Sequence, residues 1–324
     1  MLIPVIVFAI SLLALIWSAD RFVAGAAALA AHLGISTAMI GLTVIALGTS
    51  APEILVSATA AWQGSTALAL GNAQGSNIAN IGLVMGVVLT LAALPVSLTL
   101  LRSQSLILLL ATVLLGFMLQ DLYLGRVEGL VLLAGLVAFL GWTIYQSQHD
   151  RALASQAARE AAAEMQHGLP RPQAIGLTLV GLLLLLIASR GLVWSATDIA
   201  RSLGISELVI GATIVAIGTS LPELASAVSS TLKKHHDMTL GNLLGSNVFN
   251  IFAVVGVAGM ITPAQFEAAI WTRDFAFVAL TAFVMLALIQ WYGHRRQRIP
   301  RPYGWILIGL YAFYLWLNFQ AMYA

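Results

Sequence analysis

Two stretches, Gly41 to Gly86 and Gly211 to Gly256, are copies of one pattern, and this duplication constrains the fold more than any other feature of the chain. The first reads GLTVIALGTSAPE and, after a gap, GNAQGSNIANIGLVMG; the second reads GATIVAIGTSLPE and then GNLLGSNVFNIFAVVG. Matched positions keep one offset throughout: Gly48 and Gly218, Glu53 and Glu223, Asn72 and Asn242, Asn80 and Asn250. A register held without slippage across both blocks marks a duplicated unit, whose copies meet equivalent environments in the folded chain.

That environment is lipid. Hydrophobic residues make up 60% of the 324, charged residues 9%, and the mean hydropathy is +0.94, whereas soluble domains carry roughly 25% charged residues. Ten apolar runs approach the ~20 residues that cross a bilayer as a helix: 2–30, 36–61, 67–93, 104–119, 124–146, 174–200, 206–231, 238–261, 274–292 and 303–320. The runs are continuous and do not alternate with period two, which excludes a barrel. The first begins MLIPVIVFAISLLALIW, without a basic segment before it, and reads as a retained span. The net charge of +2 does not indicate nucleic acid, because the basic residues are scattered through loops. With no cysteine in the chain, disulfides and thiolate sites are excluded.

Five spans per copy is an odd number, so the second copy enters the membrane from the opposite side. The expected fold is an all-α integral membrane protein of about ten transmembrane helices, arranged as two inverted five-helix repeats. Residues 1–148 form the first repeat, 149–173 a linker, and 174–324 the second repeat. Loops from odd to even spans hold Arg102, Arg151, Arg159, Arg171, Lys233, Lys234, Arg295, Arg296, Arg298 and Arg301, against Arg126, Arg201 and Arg273 opposite. The positive-inside rule makes the first group and the linker cytoplasmic, with both termini outside. The linker core HDRALASQAAREAAAEMQ favours helix and ends at GLPRP, reading as a solvated hinge. Short loops favour a bacterial inner (cell) membrane.

Glu53 and Glu223 lie well inside equivalent spans, and a carboxylate at that depth is a functional candidate. Pro52 and Pro222 conflict with the carbonyls of Gly48 and Gly218, so each helix breaks just before its glutamate and frees carbonyl oxygens to line a cavity. Thr49, Ser50, Thr219 and Ser220 add hydroxyls at the two breaks. On the next helix Asn72, Ser76 and Asn80 recur every four residues and share a face, repeated by Asn242, Ser246 and Asn250. Asn77 and Asn247 sit off that face as interhelical hydrogen-bonders. No histidine lies at mid-depth, and hard oxygen donors of this kind suit Na⁺ or Ca²⁺ over Zn²⁺ or Cu⁺.

The paired G-T-S-x-P-E and G-N-x-x-G-S-N-x-x-N blocks resemble the alpha repeats of the sodium/calcium exchanger family, within the cation/Ca²⁺ antiporter superfamily. The resemblance implies central cation sites where spans two, three, seven and eight meet. Glu53 and Glu223 would coordinate Ca²⁺ and neighbouring Na⁺, with oxygens from Thr49, Ser50, Ser76, Thr219, Ser220 and Ser246 and the backbone carbonyls of Ala46 and Ala216. Members often carry aspartate at one of the positions held here by Asn80 and Asn250; asparagine at both lowers the fixed charge and bears on ion stoichiometry and K⁺ dependence. The long first and sixth spans would slide against the core. They carry Asp20 and Arg190 at matched positions, which could pair across the pseudo-axis or serve as plain structural charges.

Two ionised glutamates amount to about −2, which Ca²⁺, Na⁺ ions or protons can neutralise; an empty site of that charge is too costly to carry across, which forces exchange. The expected function is therefore a secondary antiporter exchanging Ca²⁺ for Na⁺. Coupling to H⁺ through the same glutamates is the alternative. An intramembrane hydrolase using them as acid and base lacks a nucleophile or a metal-bound water, and no phosphate-binding loop for ATP is present. No cofactor is expected. The partners are inorganic cations (Ca²⁺ and Na⁺, with H⁺ or K⁺ as further candidates) and the bilayer, and one chain holds both halves of the site, as a functional monomer requires.

Overall fold

The computed structural model describes residues 2–96, 99–149, 154–155, 157–160, 162, 169–204, 216–295 and 297–323, and these are overwhelmingly helical. In chain order the helices are α1 (Leu2–Leu33), α2 (Thr37–Thr49), α3 (Ala51–Trp62), α4 (Thr66–Leu91), α5 (Thr99–Met118) and α6 (Arg126–His149). The second half follows with α7 (Arg171–Ser202), α8 (Ala216–Thr219), α9 (Leu221–Leu232), α10 (His236–Ile261), α11 (Ile270–His294) and α12 (Pro302–Tyr323). Seven of these, or eight with the α2–α3 pair counted as one bent span, are long and apolar enough to cross a bilayer. The 22-residue α12 completes the last span with Trp305, Tyr311, Tyr314 and Trp316 among its leucines. The start of the seventh expected span, 205–215, lies outside the described residues, as do most of 150–168. Large apolar side chains such as Ile3, Leu13, Phe117, Val127, Val137 and Trp305 stay exposed on the outer surface, as lipid-facing residues do.

Two minimal strand pairs display the inversion. β1 (Leu94–Pro95), between α4 and α5, pairs antiparallel with β4 (Arg298–Ile299), between α11 and α12. β2 (Tyr123–Leu124), between α5 and α6, pairs with β3 (Ala264–Gln265), between α10 and α11. An intervening membrane-spanning α5 separates β1 from β2, so the two pairs clasp opposite ends of the molecule. The β3 strand occupies the repeat position of β1, which places equivalent loops of the two halves on opposite faces.

The core is built from small residues that let backbones approach. α4 and α10 are the most enclosed helices, whereas α1, α6 and α7 bury a minority of their apolar surface. A Cβ added at Gly245 would lie 2.6 Å from both the Ala46 methyl and the Leu42 carbonyl, so α2 and α10 pack backbone against backbone. Gly86 and Gly304 make the same close crossing between α4 and α12, as Gly129 and Gly256 do between α6 and α10.

Two local expectations change and a third, left open, is decided. Pro172 sits in the first turn of α7, where its missing N–H leaves nothing unsatisfied, so GLPRP opens the sixth span at Arg171. The described part of the linker is docked, not a free hinge. Ala157 is buried, the Glu160 carboxylate accepts the Thr37 N–H at 2.7 Å, and His32 Nε2 meets the Leu169 carbonyl at 2.8 Å. With the Ser36 hydroxyl accepting from Met39 N–H at 3.3 Å, the linker completes the cap of α2. Of the two readings open for Asp20, the plain structural charge holds: it pairs with Lys233 of the α9–α10 turn at 2.7 Å. α1 and α7 run antiparallel, with Gly25 against Thr178 and Gly181 against Phe22. This register puts Asp20 level with residue 183, about 10 Å along the helix from Arg190.

Candidate functional site

Each glutamate stands at the first turn of a helix that restarts inside the membrane. α2 and α3 are bent by 42° about Ser50, and Ser50 and Ser220 share nearly the same backbone conformation, φ −83°, ψ 1° and φ −88°, ψ 6°. Pro52 and Pro222 occupy the opening turns of α3 and α9, where the absent N–H is harmless. Glu53 and Glu223 therefore sit at helix N-termini, whose dipoles favour a negative charge by about 0.3–1 kcal/mol or more when enclosed. Both side chains are 1% exposed.

The repeats complete each other's site crosswise. Ser50 Oγ donates to Glu223 Oε1 at 3.3 Å. Thr49 Oγ1 lies 3.5 Å from both Asn242 Oδ1 and Ser246 Oγ, and Ser246 Oγ donates to Asn242 Oδ1 at 3.4 Å. Asn242 Oδ1 thus accepts from Ser246, whereas the Thr49 hydroxyl donates most closely to the Ile45 carbonyl of its own helix at 3.1 Å. In the other half, Ser76 approaches the Glu53 carboxylate without closing a hydrogen bond. Asn80 and Asn250 each open a π-helical turn, Asn80–Met85 and Asn250–Val255, a departure common at functional sites. The Asn80 turn packs against α9, which carries Glu223, and the Asn250 turn against α3, which carries Glu53. A third π turn, Gly41–Ile45, precedes Ala46.

Unpartnered polar atoms gather here. Among the described residues, both Glu53 oxygens, Glu223 Oε2, Ser220 Oγ and the amide atoms of Asn80 and Asn250 are buried without a hydrogen-bond partner. Each such group costs about 1–3 kcal/mol when left unsatisfied. Carboxylate, hydroxyl and amide oxygens in one enclosed place can repay that cost by coordinating a hard cation. No three His, Cys, Asp or Glu side chains gather into a metal site among the described residues, so the oxygen set is limited to two carboxylates.

The carbonyl expectations are met unevenly. Gly218 O, thought to face the cavity, accepts from Ser189 Oγ of α7 at 3.2 Å. Ala46 O accepts the Ser50 N–H at 3.0 Å and has the Thr49 hydroxyl at 3.4 Å, whereas Ser220 N–H turns to Ile217 O at 3.1 Å, next to Ala216. Thr219 closes α8 beside Ser220. Asn77 does bridge the repeats, donating to Asn247 O at 3.3 Å, while Asn247 bonds Leu243 O of its own helix at 2.7 Å.

Two residues escaped the sequence reading. Asn72 Nδ2 donates to Ser57 Oγ, and Asn242 Nδ2 to Ser226 Oγ, both at 3.1 Å. Ser57 and Ser226 are fully buried and orient the two amides. They stand one residue out of register between the copies, so a search for matched positions passes over them. The copies also differ in exposure: Asn72 is half-buried, Asn242 buried.

With this geometry in view, the relatives are informative. The family profile described as "Sodium/calcium exchanger protein" matches residues 3–145 and 173–320. CaxA of Alkalimonas amylolytica is 44% identical over 99% of this chain and 100% of its own. The Inner membrane protein YrbG of Escherichia coli is 36% identical over 98% of this chain and 96% of its own. Crystals of the sodium-calcium exchanger NCX_Mj soaked with Na⁺ and Sr²⁺ superpose with a TM-score of 0.82 at 29% identity, covering 96% of this chain and 97% of that one. The ten-span inverted duplication with its paired glutamates, and the match along both repeats, identify the chain as a multi-pass membrane transporter, not an enzyme, that belongs to the sodium/calcium exchanger family.

Proposed function

We propose that this protein exchanges Ca²⁺ for Na⁺ by alternating access. The observation that carries the reading is the shared site, in which two enclosed glutamates from opposite repeats present unpartnered oxygens, Glu223 beside the Ser50 hydroxyl of the other repeat. Glu53 and Glu223 coordinate Ca²⁺ and, in its absence, Na⁺. Thr49, Ser50, Ser76, Thr219, Ser220 and Ser246 contribute hydroxyl oxygens, Ala46 and Ala216 carbonyl oxygens, and Asn80 and Asn250 amide oxygens. Asn72 and Asn242, held by Ser57 and Ser226, position the walls. The half-exposure of Asn72 against the burial of Asn242 supports access from the face that carries β2 and β3.

The repeats divide at 149–173, a linker on the cytoplasmic side, with both termini outside the cell membrane and the monomer as the working unit. The test is Ca²⁺ uptake into proteoliposomes loaded in turn with Na⁺, with K⁺ or with a pH gradient, using Glu53→Gln as control. Uptake that requires internal Na⁺ and is abolished by the substitution supports the reading. Uptake driven equally by the pH gradient alone replaces it with proton coupling through the same glutamates.

A further inference from the structure

α7 lies over both helix breaks. A Cβ added at Gly48, in the first break, would meet Leu182 first, and one added at Gly218, in the second, would meet Val193. Between these two contacts Ser189 Oγ donates to the Gly218 carbonyl at 3.2 Å, replacing the helical donor that Pro222 cannot supply. We propose that Ser189 is a positioning residue whose hydrogen bond holds the second break in the orientation seen here and so makes the two faces of the transporter unequal. The inference rests on the exchange reading above and adds which orientation the chain prefers.

In an inverted duplication, access alternates as one repeat gates against the other around a fixed site. The opposite orientation is then the one in which each repeat takes up the contacts that the other makes now. Leu12 would cover Gly218 as Leu182 now covers Gly48, Val23 would cover Gly48 as Val193 now covers Gly218, and residue 19 would face the Gly48 carbonyl. The apolar contacts survive this exchange, leucine for leucine and valine for valine. The hydrogen bond does not. Ala19 has no hydroxyl, and Ser18 beside it donates to the Leu15 carbonyl of its own helix at 3.2 Å. Ala19 and Ser189 are both buried, so bulk water does not stand in for the missing donor. One hydrogen bond therefore separates the two orientations and favours the present one about fivefold in population.

A ligand's apparent affinity at one face falls with the fraction of protein open to that face. The ratio of half-saturating Ca²⁺ concentrations at the two faces thus follows the population ratio, whereas a Ser189 that only satisfied a stranded carbonyl would, when lost, weaken both faces alike. The experiment measures Na⁺-dependent Ca²⁺ uptake by the full chain in right-side-out and everted membrane vesicles, with vesicles lacking the protein as blank. Ser189→Ala should move the ratio about fivefold against the face that carries β2 and β3. Ala19→Ser, which gives the first break the same donor, should move it about fivefold in the same direction, and the double substitution about 25-fold. Thermal unfolding in detergent identifies the folded variants, so either single substitution carries the test if the other fails to fold. An unchanged ratio in a folded, transporting variant, or an equal change at both faces, overturns the inference and leaves the exchange reading intact. No Na⁺-dependent uptake by the parent protein at either face overturns both.

Discussion

Gly75 and Gly245 are equivalent in the duplicated sequence, yet the structure predicts opposite responses to the same substitution. In Gly245→Ala the new methyl would lie 2.6 Å from the Ala46 Cβ and the Leu42 carbonyl, both on α2. Relief to ordinary contact, near 3.5–4.0 Å, requires α2 to withdraw by ~1 Å. Overpacking of this kind costs about 1–3 kcal/mol. It also draws the Ala46 carbonyl and the Thr49 hydroxyl away from the cavity, since both belong to the last turn of α2. Loss of one or two oxygen ligands at ~1.4 kcal/mol each corresponds to Ca²⁺ binding weakened about 10- to 100-fold. In Gly75→Ala the methyl meets no described atom within 4 Å, and binding should stay within about twofold of the parent by the same relation. Equilibrium Ca²⁺ binding in detergent, with thermal unfolding to confirm that each variant is folded, reads both. Equal effects at the two glycines, or unaltered affinity in Gly245→Ala, would refute the argument that α2–α10 contact sets the site's geometry.

Two further substitutions probe other parts of the network. Asn242→Ala removes the amide oxygen that accepts from the Ser246 hydroxyl and lies 3.5 Å from that of Thr49 and should weaken Ca²⁺ binding about tenfold, for roughly 1–1.5 kcal/mol per lost hydrogen bond; Ser226→Ala, which frees the amide without removing it, should cost less, and the reverse order in a binding titration would count against Asn242 as the organiser. The Asp20–Lys233 pair is substantially exposed, so a double-mutant cycle of Asp20→Asn and Lys233→Gln on thermal stability should return about 0–1 kcal/mol, reduced further by salt. A coupling well above that range would mean the pair is enclosed in the membrane-embedded protein.

What the sequence by itself determined was everything that depends on local period and on duplication. Twenty-residue apolar runs, an odd number of spans per copy and a four-residue polar spacing are properties of neighbouring residues, so the inverted ten-span plan and the candidacy of Glu53, Glu223, Ser76 and Asn80 could be read directly. Pro52 and Pro222 located the breaks for the same reason, because proline acts within one turn. Only the tertiary structure decided which atoms meet. The pairing of Asp20 with Lys233 instead of Arg190 follows from how Gly25 and Gly181 seat α1 against α7. The π turns at Asn80 and Asn250 insert a register shift that no residue type announces, and Ser57 and Ser226 reach equivalent amides from unequal positions. Gly218 O is taken by Ser189, where the first repeat has Ala19 at the matching place. In each case the outcome rests on side-chain volumes contributed by helices far apart in the chain. Such volumes differ between the copies even where the motifs agree, so sequence symmetry fixes the design while packing chooses the contacts.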